Sequence, residues 1–273
     1  MSTILRLPEP FDLVQTLSSG QVFRCWPAGD GRWFVCVRDR LFWLRQDGQR
    51  LEFAGANEGL VREFLDLDYD LAAALGRLGR IKPLRPAIEV CRGLRIVRHD
   101  PWECLVSFIC STRSNIPKIR RSLDVMAQCH GRLLRRDGMT VHAFPPPGSL
   151  CNLDLLRSAG VGYRAKYLLQ TNRLCTNRML RRIARMPYLQ AREELKRFPG
   201  VGDKVADCVC LFSMRMREAF PVDVWVQRAM TELFPGCGRN AAEIRKSARE
   251  TFGPDAGYAQ QYLFQYRRLR GKG

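Results

Sequence analysis

No two of the eleven cysteines stand at C-x-x-C spacing, which removes the usual zinc and dithiol frameworks. Their number is odd, and several lie in apolar runs such as Cys104-Leu105-Val106-Ser107-Phe108-Ile109-Cys110, so they read as reduced thiols. Beyond the helices around residue 200 the C-terminal part holds only Cys237, so no iron–sulfur cluster can be held there by four cysteines. No apolar run approaches the roughly 20 residues of a membrane span, and no signal pattern opens the chain. The sequence therefore predicts an intracellular protein with no membrane partner. It shows no internal repeat or low-complexity segment. Acidic residues are scarce, 27 against 45 Lys and Arg, for a net charge of +18 over 273 residues. Such a surplus favours a polyanion, since each phosphate contact releases condensed counterions. A solvated basic surface or ribosomal-type RNA binding would also account for the charge.

The most informative stretch is Leu195-Lys196-Arg197-Phe198-Pro199-Gly200-Val201-Gly202-Asp203-Lys204, followed by Phe220-Pro221-Val222-Asp223. Pro fixes one φ and each Gly permits positive φ, so Pro199 to Gly202 forms a tight turn. Helix-forming sequence on both sides makes it a helix-hairpin-helix over 196–204. The second helix opens with unsatisfied N–H groups that suit a DNA phosphate, and Gly200 and Gly202 let a backbone approach. An ordinary turn between helices with a surface lysine is the competing account; the downstream Pro-Val-Asp weighs against it.

In chain order, residues 1 to about 55 read as antiparallel β: Gln21–Trp26, Arg32–Val37 and Arg40–Leu44 are aromatic and β-branched runs separated by Gly/Asp/Pro clusters. Ser18-Ser19-Gly20-Gln21 is a bend before them. Residues 58 to 95 turn helical, broken at Ile81–Pro86 and Arg92–Arg95. We place a domain boundary near residue 97, giving a β-rich domain (1–96) and a helical one (97–273). Asp100-Pro101 caps a helix through Phe108. A second helix is expected over Ile116–Leu134, then an extended Pro145-Pro146-Pro147 linker. Gly160-Val161-Gly162-Tyr163-Arg164 is either a helix C-cap with a core Tyr or a turn that presents Tyr163 and Arg164 to nucleic acid. Asp223 and Asn240 are candidate N-caps, and a last helix over Tyr258–Leu269 puts Gln260 and Phe264 on one face.

Lys204 falls in the first turn of its helix, where the positive end of the dipole disfavours an ammonium. A neutral amine can attack carbon and form a Schiff base. Asp223 can relay protons or stabilise a developing cationic sugar. Together they describe a centre that cleaves an N-glycosidic bond in DNA, with the target base flipped from the stack.

Lys196 to Cys210 followed by Pro221-Val222-Asp223 resembles the helix-hairpin-helix/Gly-Pro-Asp (HhH-GPD) superfamily of DNA glycosylases. Within it the chain is similar to the eukaryotic-type 8-oxoguanine DNA glycosylases. Further matches are Ser19-Gly20-Gln21, Asp100-Pro101 with Glu103-Cys104-Leu105, Ser107 to Ser111, Gly162 to Tyr167, and Gly257-Tyr258-Ala259-Gln260 with Leu263-Phe264. The resemblance implies an α+β, mainly helical fold with an N-terminal antiparallel, TBP-like sheet. It implies a monomeric glycosylase/AP lyase of base excision repair, acting on genomic DNA without a required cofactor. Lys204 would be the Schiff-base nucleophile and Asp223 its assistant. Cys208 and Phe264 would sandwich the flipped base, Gln260 would bind its Watson–Crick edge, and Pro221 would line the pocket. The Gly20 carbonyl would accept the N7–H that distinguishes 8-oxoguanine from guanine. Tyr163 would wedge the duplex, and the carbonyls of Lys196, Phe198 and Val201 would hold a cation beside a DNA phosphate.

Three positions depart from the family pattern. Arg113 replaces an Asn that fills the vacated stack, and Lys118 replaces an Arg that reads the orphaned cytosine, leaving Arg164 as the one unchanged reader. Lys lacks the bidentate fork of Arg, so strict preference for cytosine opposite the lesion is not expected. Trp225 replaces a His near the active site. Two alternatives stay open: a glycosylase for another damaged purine, against which Gly20, Cys208, Gln260 and Phe264 argue, and a non-catalytic DNA-binding protein, against which Lys204 with Asp223 argues.

Overall fold

The structure, a computed structural model, describes residues 2–271. Five strands, β1 (Thr3–Arg6), β2 (Cys25–Pro27), β3 (Trp33–Val37), β4 (Arg40–Asp47) and β5 (Arg50–Ala54), form one sheet in the order β1-β5-β4-β3-β2, with every pair antiparallel. Alternation along the strands gives the sheet two apolar faces. One, with Val35, Phe42, Leu44 and Phe53, packs against helices α1 (Leu13–Ser18) and α2 (Glu58–Phe64).

The chain then becomes helical: α3 (Leu71–Leu78), α4 (Arg85–Val90), α5 (Pro101–Ser111) and α6 (Ile116–His130). The expected break at Ile81–Pro86 is only a 3-10 turn, Lys82–Leu84, because prolines are tolerated in a first helical turn. The boundary expected near residue 97 is not where the packing divides. Leu71, Leu75, Leu78, Leu84 and Ile88 already belong to the helical core, and the sheet core closes at Leu67 apart from Val97.

The helix expected to reach Leu134 stops at His130. A Cβ at Gly131 would lie 1.8 Å from the Ala143 carbonyl oxygen, so the chain there is pinned against a returning segment. That segment is a hairpin, β6 (Leu133–Arg136) and β7 (Met139–His142), turned by Asp137 and Gly138, both at positive φ. Its Leu134, Met139 and Val141 cover the second face of the sheet at Phe34, Leu41 and Trp43, and the Trp43 indole N–H donates to Asp137 at 2.7 Å.

The rest is α7 (Leu153–Ser158), α8 (Arg164–Leu174), α9 (Asn177–Ile183), α10 (Tyr188–Leu195), α11 (Asp203–Ser213), α12 (Val224–Leu233), α13 (Ala241–Phe252) and α14 (Ala256–Arg270). The expected caps form: Asp100 accepts from the N–H groups of Trp102 and Glu103, Asp223 from Val226, and Asn240 from Ala242 and Glu243. Helices α5 and α11 lie side by side at the centre of the helical body, which sets the geometry of the site.

Candidate active site

Helices α10 and α11 and their turn make the helix-hairpin-helix. Gly200 uses its freedom: φ is +81°, and a Cβ would meet the Tyr167 side chain at 2.9 Å. Gly202 does not; it is the N-cap in extended backbone, with open space around it. Its small size leaves the N–H end of α11 uncovered. Buried charges fix the two helices. Asp207, fully buried on α11, accepts from Tyr188 (2.7 Å), Arg192 (3.0 Å) and Arg245 (2.6 Å), tying α11 to α10 and α13. Of the three hairpin carbonyls, those of Lys196 and Val201 accept no backbone hydrogen bond among the described residues, while that of Phe198 accepts from Val201 N–H.

Lys204, in the first turn of α11, reaches the C-terminal end of α5. Its Nζ donates to Ser111 Oγ at 3.0 Å and stands 5.0 Å from the centre of the Phe108 ring. The Ser111 hydroxyl donates in turn to the Phe108 carbonyl at 2.8 Å, leaving its lone pairs for the lysine. The carbonyl end of α5 therefore opposes the dipole of α11 at this amine, a partner that α11 alone did not reveal.

Lys204 opens into a cavity of about 690 Å³. Asp223, Cys208 and Pro221 line it from the α11–α12 side, Gln260 and Phe264 from α14, and Gly20 from across the domain boundary. All seven residues expected to act on the base or sugar thus meet in one cavity. A larger cleft, about 950 Å³, lies at the other end of α5 and contains none of them.

Each wall has a local cause. Gly20 sits at φ +81° in a bend bolted by Gln21, whose amide donates to Thr16 and Arg95 carbonyls and accepts from Val97 N–H. No described group donates to the Gly20 carbonyl. Gln260 is 4% exposed and its Oε1 has no partner, so its amide is free to meet a ligand's hydrogen-bonding edge. Burial pushes the Cys208 thiol up to about 12 against the opposing charge of Lys204, so at neutral pH it is a packing surface. Asp223 spends Oδ1 on capping α12. Trp225, at the rim, is 46% exposed.

The residues expected to touch DNA flank this cavity. Arg113, at φ +50°, and Lys118 are exposed at the loop and start of α6, and Tyr163 is 57% exposed before α8. Arg164 differs from expectation. It is 5% exposed, and its guanidinium donates to the carbonyls of Val161, Cys110 and Thr112 at 2.6–2.7 Å. The carbonyl end of α5 needs donors, and Arg164 supplies them. Sequence reasoning assigns no cavity role to Phe108 and Ser111, although Ser107 to Ser111 match the family, nor to Arg120 and Arg268.

Comparison with known proteins places the chain in a family. Residues 4–105 match the family model described as "8-oxoguanine DNA glycosylase, N-terminal domain". The solved 8-oxoguanine glycosylase/lyase of Clostridium acetobutylicum, in complex with DNA containing cytosine opposite 8-oxoguanine, superposes with a TM-score of 0.94. It is 34% identical, over 99% of this chain and 96% of that one. A probable N-glycosylase/DNA lyase of Methanothermobacter thermautotrophicus is 38% identical over 213 residues, 70% of this chain and 68% of the relative. The chain belongs to the 8-oxoguanine DNA glycosylase/lyase family. The N-glycosylase/DNA lyase of Saccharomyces cerevisiae is also similar, 39% identical over 153 residues, 50% of this chain and 41% of the yeast protein. The HhH-GPD fold and N-terminal antiparallel sheet are those of this glycosylase/lyase family.

Proposed function

We propose that this protein excises 8-oxoguanine from duplex DNA and then cleaves the abasic strand, as a bifunctional glycosylase/AP lyase of base excision repair. The observation that carries the reading is the single cavity in which Lys204 and Asp223 face Gly20, Cys208, Pro221, Gln260 and Phe264. The alternatives of another damaged purine or a non-catalytic binder do not account for an open Gly20 carbonyl and an unpartnered Gln260 amide beside a lysine and an aspartate.

In this reading, uncovered N–H groups at Gly200 and Gly202 grip a backbone phosphate and Tyr163 wedges the duplex. The flipped base slides between Cys208 and Phe264, with Pro221 at its edge. Gln260 reads the Watson–Crick edge, and the Gly20 carbonyl accepts N7–H, which guanine lacks. Lys204, passing its proton on, attacks C1′ as the glycosidic bond breaks, and Asp223 stabilises positive charge on the sugar. The Schiff base then permits β-elimination. The open carbonyls of Lys196 and Val201, with Phe198, fit a cation that would tie the hairpin to DNA; the chemistry itself calls for no cofactor. Arg113 and Lys118 would relax the preference for cytosine opposite the lesion. Arg164 reaches that base only by giving up its carbonyl partners.

Borohydride trapping tests the reading. Wild-type protein should form a covalent complex with 8-oxoguanine duplex, and Lys204→Gln should form none. Folded protein that yields no adduct and releases no base would refute it. In the same assay, adduct yields with cytosine, thymine, adenine and guanine opposite the lesion should lie within about tenfold, a spread under ~1.4 kcal/mol. Strict dependence on cytosine would contradict the roles given to Arg113 and Lys118.

A further inference from the structure

Two arginines stand in the wall of the lesion cavity without counter-ions. Arg120 on α6 and Arg268 on α14 both line it. Neither forms an ion pair among the described residues. Asp124, one turn from Arg120, is engaged with Arg24 at 3.5 Å. Each guanidinium has one uncharged acceptor: Arg268 Nη2 donates to the Ser18 carbonyl, and Arg120 Nη2 to the Cys25 sulfur at 3.7 Å. The Nε of each is buried with no partner. Burial, and then the field of Arg120, pull Arg268 below its ordinary range. Two like charges in a half-buried wall are costly to hold, and an anion between or beside them relieves that cost.

Position indicates which anion. An ideal Cβ on Gly20 would lie 3.6 Å from Arg268 Nη1, so this guanidinium stands beside the residue proposed to read N7–H. In 8-oxoguanine N7 is bonded to C5 and C8, and O6, on C6 next to C5, and O8, on C8, flank it on the same edge. We infer that Arg268, with Arg120 reinforcing its field, stabilises the departing 8-oxoguanine as an anion, which rests on the function proposed above. When the C1′–N9 bond breaks, its electron pair leaves with the base and spreads towards O8 and O6. Lys204 Nζ forms the new bond to C1′ and releases one proton, and the base acquires one before it leaves neutral. The arginines transfer no proton. They are fixed positive donors aimed at charge that develops only in the transition state.

Single-turnover kinetics on two substrates test this: duplex with 8-oxoguanine, and duplex with a preformed abasic site, from which no base departs. Arg268→Met should slow base release by about 10- to 100-fold, and slow strand cleavage at the abasic site far less. Arg120→Met should lower the same ratio of rates by a smaller factor, and Arg268→Lys should restore part of it. Equal slowing on both substrates, or a loss confined to DNA affinity, overturns the proposal. If Arg268→Met melts at the assay temperature, Arg268→Lys and Arg120→Met carry the comparison, since each must lower the ratio. Wild-type protein inactive on both substrates would count against the proposed function itself.

Discussion

Ser111 is held in one orientation. Its hydroxyl donates to the Phe108 carbonyl, so its oxygen can only accept, and the Lys204 ammonium supplies the proton. Ser111→Ala should therefore leave the lysine in place but unsteered. We expect Schiff-base formation to slow about tenfold with DNA affinity unchanged, since small misplacement of a reacting group costs rate rather than binding. Borohydride trapping over time, beside a binding titration, checks it; an unaltered trapping rate would show Ser111 to be a bystander. Lys204 and Asp223 were legible in the sequence because a turn and a cap are local patterns. The role of Ser111 was not, although Ser107 to Ser111 match the family, because its partner lies 93 residues away. Arg164 misled for the same reason: its sequence neighbours suggest an exposed reader, whereas its hydrogen-bond partners are carbonyls at the end of another helix.

Helix α5 is the element on which the site depends, and its two ends are chemically different. The last turn meets Lys204. The first turn carries Glu103, which is buried, as is His99 just before the helix. Burial raises the Glu103 carboxyl to about 8 against the opposing charge of Arg24, and lowers His99 to about 4. Folded Glu103 keeps a proton that the unfolded chain releases above about 4.5, so its contribution is full below that pH and is lost as pH rises towards 8. His99 acts in the other sense, weakening the fold as pH falls from about 6.5 to about 4. Above pH 6.5 the Glu103 change outweighs the fading His99 change. Unfolding free energy should then fall by up to about 1.4 kcal/mol per pH unit between 6.5 and 8. Urea denaturation across that range should show the slope in the wild type and a flatter line in Glu103→Gln; identical slopes would remove Glu103 as the cause. At this scale most helices were legible from caps and periodicity. The β6–β7 hairpin was not, because its strands pair with each other and lean on a sheet some ninety residues earlier, while their charged residues resemble the end of a helix.

At the scale of the molecule, the sheet and the helical body are interleaved. The bend before β2 contributes Gly20 and the sheet itself Pro27 and Trp33 to the cavity, α3 and α4 belong to the helical core, and the hairpin at 133–142 returns to cover the sheet. A fragment ending at residue 96 would expose Phe34, Leu41 and Trp43 on one side and Leu71, Leu75 and Leu78 on another. We expect it to be insoluble or to expose apolar surface, with strong binding of a hydrophobic dye, whereas a fragment ending beyond the hairpin recovers the covered sheet face. A soluble, cooperatively melting fragment of residues 1–96 would contradict this. The fold class was legible in the sequence because β-rich and helical compositions follow one another along the chain; the division of the core was not, because it depends on which helix faces pack together.

The returning hairpin also has a consequence for the order in which the protein is made. The five-stranded sheet is complete once Ala54 has emerged, but its outer face stays bare until His142 follows. At about 5–20 residues per second this leaves Phe34 and Trp43 uncovered for several seconds on the ribosome. In that interval the nascent chain presents the kind of surface that holding chaperones bind, and a pause before residue 142 would prolong it.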